Sequence, residues 1–401
     1  MLNPSLVQDS KIEDRKVLTF QVIKVIAGIL LIFFIPLEYL TSNSLNNLEK
    51  HALIRIQDDR TDSGINFFKI LDYFGNHVFL IVIFPALYHF YDARKAMKII
   101  IVVCISLYMH SFLALLYMEP RPFWYSSSIK GELCTSGFGL PSLEILLVTV
   151  LFIYTAAELF RNRGPIESTI AYSLCLALIS LYVTAALYLG EHFPHQCVVT
   201  ICFAFIYLTG AFSLDKYISN MALKTCFGYN ENRKNSIYML IAVLALFCSI
   251  IATNNLITNV KGISIYWIKH ALKHCDNDYQ VNGSDSFYIS AWIFYMQGAV
   301  FGCMFTAKRL SMFWWMTPYY KRFIRSIIAC GISYGVFSLF SLFDFSADAS
   351  TFSVNFVAPL LIMGFVTHGI MPLIFAKVHL ALSIGPDVDD ETELTSYYGN
   401  I

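Results

Sequence analysis

The sequence is poor in charge and has no surplus of either sign. Charged residues make up 14% of its 401 residues, and 28 lysines and arginines balance 28 aspartates and glutamates. This balance argues against a basic surface for nucleic acid. The ten cysteines form no CxxC pair and mostly lie in apolar segments, which argues against a zinc site or a disulfide framework. Cys134 and Cys275 lie in polar loops, and we expect them to stay unpaired.

Hydrophobic residues are abundant instead, at 57% of the chain, with a mean hydropathy of +0.58. Such values are typical of polytopic membrane proteins. Apolar runs close to the length that crosses a bilayer predict ten spans, at residues 17–40, 78–91, 97–118, 143–160, 170–188, 197–214, 237–256, 287–307, 324–343 and 355–375. The expected fold class is therefore an all-α polytopic membrane protein, whose surroundings are membrane lipids.

Lysine and arginine are concentrated in alternate loops between these spans, for example at Arg94 and Lys95 and within residues 216–234 and 308–322. These loops, with both termini, are expected to face the cytosol. The loops 118–146 and 188–196 then face the lumen or the exterior, as does the glycosylation acceptor at Asn282. We expect an endoplasmic reticulum or other endomembrane location, with the plasma membrane as an alternative.

The loop between the third and fourth predicted spans has the features of an anion site. Arg121 stands between Pro120 and Pro122, which stiffen its backbone. Pro141 and Ser142 open the next apolar segment, where N–H groups at a helix N-terminus are unpaired. An ordinary Ser N-cap and a snorkelling arginine are the alternative. An interfacial aromatic belt is the expected role of Tyr117, Phe123, Trp124 and Tyr125.

The turn between the fifth and sixth spans reads Tyr-Leu-Gly-Glu-His-Phe-Pro-His-Gln over residues 188–196. With the Arg-Pro and Gly-Leu-Pro-Ser strings, it resembles the type-2 phosphatidic acid phosphatase (PAP2) superfamily, and most closely the glucose-6-phosphatase branch. That pattern has Lys, six residues and Arg-Pro; then Pro-Ser-Gly-His; then Ser-Arg, five residues, His, three residues and Asp. The resemblance covers about residues 65–215. It implies a six-helix PAP2-like core and no metal or organic cofactor.

Carried over residue by residue, the match is partial. Arg121 matches the phosphate-binding arginine, and His192 matches the nucleophilic histidine. Ala114, Glu144 and Ala186 stand where the pattern has a lysine, the acid/base histidine and an arginine. The other expected site residues are Ser142 beside the phosphate, with Gln196 and His195 in support. Gln196 stands at the pattern's Asp, where the glucose-6-phosphatase branch also has Gln.

Each of the two missing cations would raise the activation free energy of phosphoryl transfer by roughly 3 to 4 kcal/mol if its loss resembles that of an oxyanion donor. An ionised Glu144 would also repel a phosphate dianion. We therefore expect a catalytically impaired, phosphatase-like membrane protein that binds a lipid or phosphorylated ligand, or acts as a subunit of a membrane assembly.

Three alternatives stand beside this expectation. One is an active metal-independent lipid-phosphate or sugar-phosphate phosphatase with a phosphohistidine intermediate, in which protonated Glu144 is the acid and the pH optimum is acidic. In another, His192 and His195 are interfacial histidines that cap the sixth span. A transporter or channel is the third, but the paired broken helices typical of transporters are not visible.

The expected organisation has four parts. Residues 1–69 contain the cytosolic N-terminus, the first anchor and a lumenal loop, and residues 70–215 form the PAP2-like core. Residues 216–376 form an additional transmembrane bundle, and residues 377–401 a flexible acidic cytosolic tail.

Overall fold

The computed structural model describes residues 28, 35–161, 163–222, 232–260, 262–275, 279, 281, 283–307, 309–310, 314–340, 342 and 353–381. Helices dominate these residues, and no β-strand is found among them. The predicted all-α class is confirmed. Asn282 of the glycosylation acceptor and the acidic tail beyond residue 381 lie outside the described residues.

Eight helical segments in the described part of the chain are long and apolar enough to cross a membrane. They are Ala93–Tyr125, Leu143–Phe160, Pro165–Leu189, Pro194–Ser213, Ile237–Leu256, Asp285–Ala307, Tyr319–Phe340 and Asn355–Lys377. Each coincides with one of the ten predicted spans. The predicted span at 78–91 is the second half of a bent pair, Asp62–Gly75 and His77–Phe90, whose axes differ by 54°. The predicted span at 17–40 is described only at residues 28 and 35–40.

The α-helices are numbered here in chain order. They are α1 (Ile35–Asp58), α2 (Asp62–Gly75), α3 (Leu80–Phe90), α4 (Ala93–Tyr117), α5 (Pro122–Tyr125), α6 (Leu143–Phe160), α7 (Pro165–Leu189), α8 (Pro194–Ser213), α9 (Asp215–Ala222), α10 (Asn232–Val260), α11 (Ile265–Ala271), α12 (Ser284–Tyr288), α13 (Trp292–Ala307), α14 (Tyr319–Phe340), α15 (Ala358–Phe365) and α16 (Met371–Lys377). Two π-helical turns, Ser353–Val357 and Val366–Ile370, flank α15.

The described residues fall into two compact units. The first contains the residues up to Phe79 together with Val102–Lys216 and Leu246–Ser290. In it, α6 packs against α7 and α8, and α2 packs against α7. Ile145 of α6 meets Ala186 and Cys197 in a buried cluster at one end of these helices. That packing holds the ends of α6, α7 and α8 together, and these ends carry the recognised motifs.

The second unit contains Leu80–Ile101, Tyr217–Ala245 and the residues from Ala291 onward. In it, α13 packs against α15 and the π-helical turn that follows. A Cβ atom added to Gly302 would lie only 2.7 Å from the nitrogen of Gly369, so the glycines allow the two backbones to meet.

A buried arginine binds four backbone carbonyls in the second unit. Arg325 of α14 is fully buried and donates to the carbonyls of His89 (3.1 Å) and Trp315 (2.9 Å). It also donates to the carbonyls of Trp314 (3.4 Å) and Leu380 (3.2 Å). Backbone dipoles thus compensate a charge that would otherwise be costly to bury.

Candidate active site

The first part of the site is the chain that follows α4. Arg121 is the N-cap residue of the short helix α5, with extended backbone (φ −71°, ψ 158°), and Pro122 sets the first helical position. Farther along the loop, the Gly139 N–H donates to the carbonyl of Glu119 (2.8 Å). This bond closes the loop and brings Gly139 beside Arg121 and its neighbours.

The second part is the start of α6. Ser142 is the N-cap residue, and its hydroxyl accepts from the Ile145 N–H and donates to Glu144 Oε2 (3.1 Å). The Ser142 N–H, expected at the phosphate, donates to Thr200 Oγ1 at 2.8 Å. His110 supports the same turn, because one of its ring nitrogens lies 3.0 Å from the carbonyl of Pro141. The Ser N-cap interpretation is therefore confirmed.

The third part is the turn between α7 and α8. Gly190 ends α7 with φ +76°, in the left-handed region, and a Cβ atom there would lie 2.5 Å from the carbonyl oxygen of Lys130. Pro194 then begins α8, and the Phe193 N–H donates to Gln196 Oε1 (3.1 Å). The tight turn between the two helices presents His192 toward the loop that carries Arg121.

The structure brings His192, Arg121 and Glu144 together. His192 Nδ1 lies 2.8 Å from the carbonyl oxygen of Gly139; since a carbonyl only accepts, Nδ1 carries a proton. His192 Nε2 lies 3.3 Å from Arg121 Nη1 and 3.5 Å from Glu144 Oε2. The histidine is 1% exposed, so these neighbours define its chemistry.

Arg121 is buried and bound within the chain. Its Nε donates to the carbonyl of Gly137 at 2.6 Å, and its Nη1 lies 3.1 Å from Glu191 Oε2. The Glu191 carboxylate accepts further bonds from the Leu133 N–H (3.0 Å) and the Thr135 hydroxyl (2.8 Å). The arginine expected to hold phosphate is therefore paired with a carboxylate of this chain.

The sequence interpretation missed Glu191 as a site residue. The available signal was its position, because it is an acidic side chain directly before His192 and follows the apolar run of the fifth predicted span. Asp72 of α2 is a second missed acidic residue, close enough to Glu144 and Glu191 to interact with them electrostatically. The site therefore contains more acidic side chains than the motif match indicated.

His195 and Gln196 lie beside this centre. His195 Nδ1 is 2.6 Å from Glu49 Oε2, and the His195 N–H donates to the same carboxylate (3.1 Å). Gln196 Nε2 donates to Glu119 Oε2 (3.2 Å) and to the carbonyl of Pro120 (3.0 Å). Both side chains bind the chain around the site and hold α8 against α1 and the loop.

Ala114 and Ala186, at the positions where the sequence resemblance predicts cations, supply no charge. Ala114 is fully buried on α4, and its carbonyl accepts the Met118 N–H (3.0 Å). Ala186 is buried on α7, and its carbonyl accepts the Glu191 N–H (3.0 Å). The described residues contain no group of three or more His, Cys, Asp or Glu side chains suited to a metal ion.

A later segment of the first unit binds the loop that carries Arg121. Cys134 and Cys275, 141 positions apart, form a disulfide, so the expectation that they stay unpaired is wrong. The Phe138 N–H donates to the Ser286 hydroxyl (3.0 Å), and the Ser136 N–H to Asp285 (3.1 Å). Local sequence could not indicate this pairing, because it depends on how distant segments meet.

Aromatic contacts join the same two segments. Trp124 Nε1 donates to the hydroxyl of Tyr279 (2.8 Å), which donates to the carbonyl of Thr135 (2.7 Å). Burial raises the pKa of Tyr279, so its hydroxyl remains a donor at neutral pH. Phe123 and Trp124 are fully buried, and the interfacial belt expected for them is therefore wrong.

Residues 95–220 match the model of the PAP2 superfamily. The chain thus contains a PAP2 domain. This domain includes all six expected site residues and runs from the first turn of α4 to the last turn of α9, which confirms the resemblance at the level of the superfamily. A search of the curated proteins and a search of the solved structures found no significant match.

Proposed function

We propose that this integral membrane protein has a catalytically impaired PAP2 centre, and that it binds a lipid or phosphorylated ligand or serves as a subunit of a membrane assembly. The supporting observation is the position of His192 Nε2, the atom that would attack phosphorus, 3.5 Å from a carboxylate oxygen of Glu144. The proposed site consists of His192 and Glu144 at the reacting centre. The phosphate-binding residues would be Arg121 and Ser142, with Gln196 and His195 in support.

Either protonation state of His192 works against attack. With Nδ1 already protonated, a proton on Nε2 shared with Glu144 would make the ring an imidazolium, which has no lone pair for phosphorus. With Nε2 unprotonated, the lone pair lies beside a carboxylate that repels the incoming phosphate. Two unit charges 4 Å apart interact by about 4 kcal/mol near a protein surface.

The phosphate-binding groups are also occupied. Arg121 is paired with Glu191, and the Ser142 N–H donates to Thr200. A phosphate dianion would have to displace both interactions, and Ala114 and Ala186 offer no replacement cation. Electrostatic stabilisation of the transferred group supplies most of phosphoryl-transfer catalysis, so its loss supports an impaired enzyme.

The branch of the superfamily, the membrane topology, the location and the ligand class are part of the same proposal. The string from His192 to Gln196 supports kinship with the glucose-6-phosphatase branch. The distribution of lysine and arginine supports cytosolic termini and a site that faces the lumen, and the acceptor at Asn282 supports a glycoprotein of the endoplasmic reticulum or another endomembrane. A lipid phosphate or a sugar phosphate is the ligand class to test.

The test is phosphate release by the full chain purified in detergent, from pH 4 to 8, on phosphatidic acid and on glucose 6-phosphate. Wild type is compared with His192→Ala and with the triple variant Ala114→Lys/Glu144→His/Ala186→Arg. We expect wild type to match His192→Ala, and the triple variant to exceed both by roughly 10²-fold or more, the scale of one restored oxyanion donor.

Wild-type turnover that His192→Ala abolishes would overturn the proposal and support the active phosphatase instead. In that case, activity confined to acidic pH would indicate Glu144 as the general acid. A triple variant that folds like wild type but releases no phosphate would also count against the proposal, because the three replacements would not explain the lost activity.

A further inference from the structure

Three hydrogen-bond donors converge on the carboxylate of Glu191. They are Nη1 of Arg121 (3.1 Å), the hydroxyl of Thr135 (2.8 Å) and the backbone N–H of Leu133 (3.0 Å). A guanidinium, a hydroxyl and a backbone N–H are groups that commonly bind phosphate in proteins. We call these three donors the anion cradle, and in the structure the chain's own carboxylate fills it.

The anion cradle lies beside the proposed reacting centre. Arg121 Nη1 is the nitrogen that contacts both Glu191 Oε2 (3.1 Å) and His192 Nε2 (3.3 Å). An anion bound to that nitrogen would therefore lie next to the histidine. Glu191 precedes His192 in the chain, so the same turn that presents the histidine also delivers the carboxylate.

Burial makes this carboxylate an effective competitor. The side chains of Arg121 and Glu191 are 5% and 4% exposed, so water screens their attraction little. The buried guanidinium needs an anion. An internal carboxylate fills that need without the entropy loss of binding a free ion. A phosphate group must therefore displace a partner that is permanently present.

We propose that Glu191 is a specificity-determining residue, an internal anion that competes with phosphate and phosphomonoesters for the anion cradle and weakens their binding. This inference rests on the proposed function, because it supplies a reason why the PAP2 centre is impaired toward its usual substrate class. It predicts that removing the carboxylate frees the three donors of the anion cradle, which then bind inorganic phosphate. Catalysis is not required for that gain.

The experiment measures thermal unfolding of the full chain in detergent while inorganic phosphate replaces chloride at constant ionic strength. Glu191→Ala empties the anion cradle, and Glu191→Gln removes the charge but keeps the shape. Glu132→Gln is the matched control, since Glu132 pairs instead with Arg60 (3.4 Å) and Lys69 (3.3 Å). Acetate, which carries the deleted carboxylate, tests whether the emptied space accepts an anion.

We expect Glu191→Ala to melt lower than wild type in chloride, and to regain stability with phosphate and with acetate in a saturable way. Its half-saturating phosphate concentration should be at least about tenfold below that of wild type or of Glu132→Gln. Adding Arg121→Ala to Glu191→Ala should abolish the response. If Glu191→Ala cannot be purified in chloride, its recovery in phosphate is an equivalent positive result.

Several results would overturn the inference. Folded Glu191→Ala and Glu191→Gln variants that respond to phosphate no more than wild type would make Glu191 a purely structural residue. If phosphate stabilises wild type as strongly as the variants, the anion cradle is open and the inference is wrong. The inference is also wrong if Glu191→Ala cannot be recovered even in phosphate and Glu191→Gln does not respond to phosphate. Phosphate release by wild type would contradict the proposed function instead. The phosphate response of the Glu191 variants tests the inference independently of that result.

Discussion

His192 Nε2 and Glu144 Oε2 lie 3.5 Å apart, on two side chains that are nearly excluded from water. Under the proposed function, Glu144 stands where the superfamily pattern has a histidine, so a group that is ordinarily anionic takes the place of a proton donor. The contact accounts for the proposed impairment at the reacting atom itself. It also identifies the substitution with the most direct effect on phosphate.

Neutralising that carboxylate should improve the binding of a phosphate analogue. Glu144→Gln removes the negative charge beside His192 while its amide oxygen still accepts the Ser142 hydroxyl. We expect vanadate to bind at least about tenfold more tightly, or ~1.4 kcal/mol, which ligand-dependent thermal unfolding would measure. We expect no turnover in this variant, because an amide side chain cannot serve as the general acid.

A matched control for this change lies on the same helix. Glu158 is also buried, at the other end of α6, and Arg161 Nη2 lies 2.6 Å from its carboxylate. Glu158→Gln should leave vanadate affinity unchanged. Equal gains in Glu144→Gln and Glu158→Gln would mean that general charge, not the contact with His192, controls binding.

The disulfide between Cys134 and Cys275 should contribute strongly to stability. It closes a loop of 141 positions and holds the segment that binds Phe138. Removing a disulfide of this kind commonly costs about 2 to 4 kcal/mol, so Cys134→Ser should lower the melting temperature, as should a reductant on wild type. Cys248→Ser, which removes an exposed free thiol, should change neither the melting temperature nor its response to the reductant. A reductant that destabilises Cys134→Ser as much as wild type would contradict the assignment.

The carboxylate of Glu49 should stabilise the start of α8. It accepts both the ring Nδ1–H (2.6 Å) and the backbone N–H (3.1 Å) of His195. Glu49→Ala leaves both donors without this partner, and we expect a loss of about 1 to 3 kcal/mol, as for other buried groups left unpaired. Glu49→Gln retains an acceptor and should lose less. The melting temperatures of the two variants measure the difference, and equal losses would show that hydrogen bonding is not the cause.

The turn between α7 and α8 should require glycine at position 190. The left-handed backbone (φ +76°) and the nearby carbonyl of Lys130 both oppose a side chain. Gly190→Ala should cost about 1 to 3 kcal/mol, the range for strained residues. Gly210→Ala is the control, because nothing lies within 4 Å of a Cβ atom there and alanine favours the helix. A neutral Gly190→Ala melting curve would contradict this account of the turn.

Much of the architecture follows from local sequence. Apolar runs locate spans because a bilayer demands a fixed length of apolar helix, and eight of the ten predictions coincide with apolar helices. The span predicted at 78–91 was incomplete, because the bend after Gly75 joins it to a second, more polar helix. The motif strings likewise located the PAP2 domain, since adjacent residues carry them.

The site depended on contacts that no local pattern encodes. Glu191 partners Arg121 across 70 positions, Glu49 partners His195 across 146, and Cys134 meets Cys275 across 141. By itself the sequence determined the membrane class, the helical spans and the residue types of the motif, because hydropathy and residue identity are properties of short segments. Only the tertiary structure decided which charges neutralise one another, because a buried ion pair is defined by distance in space and not along the chain.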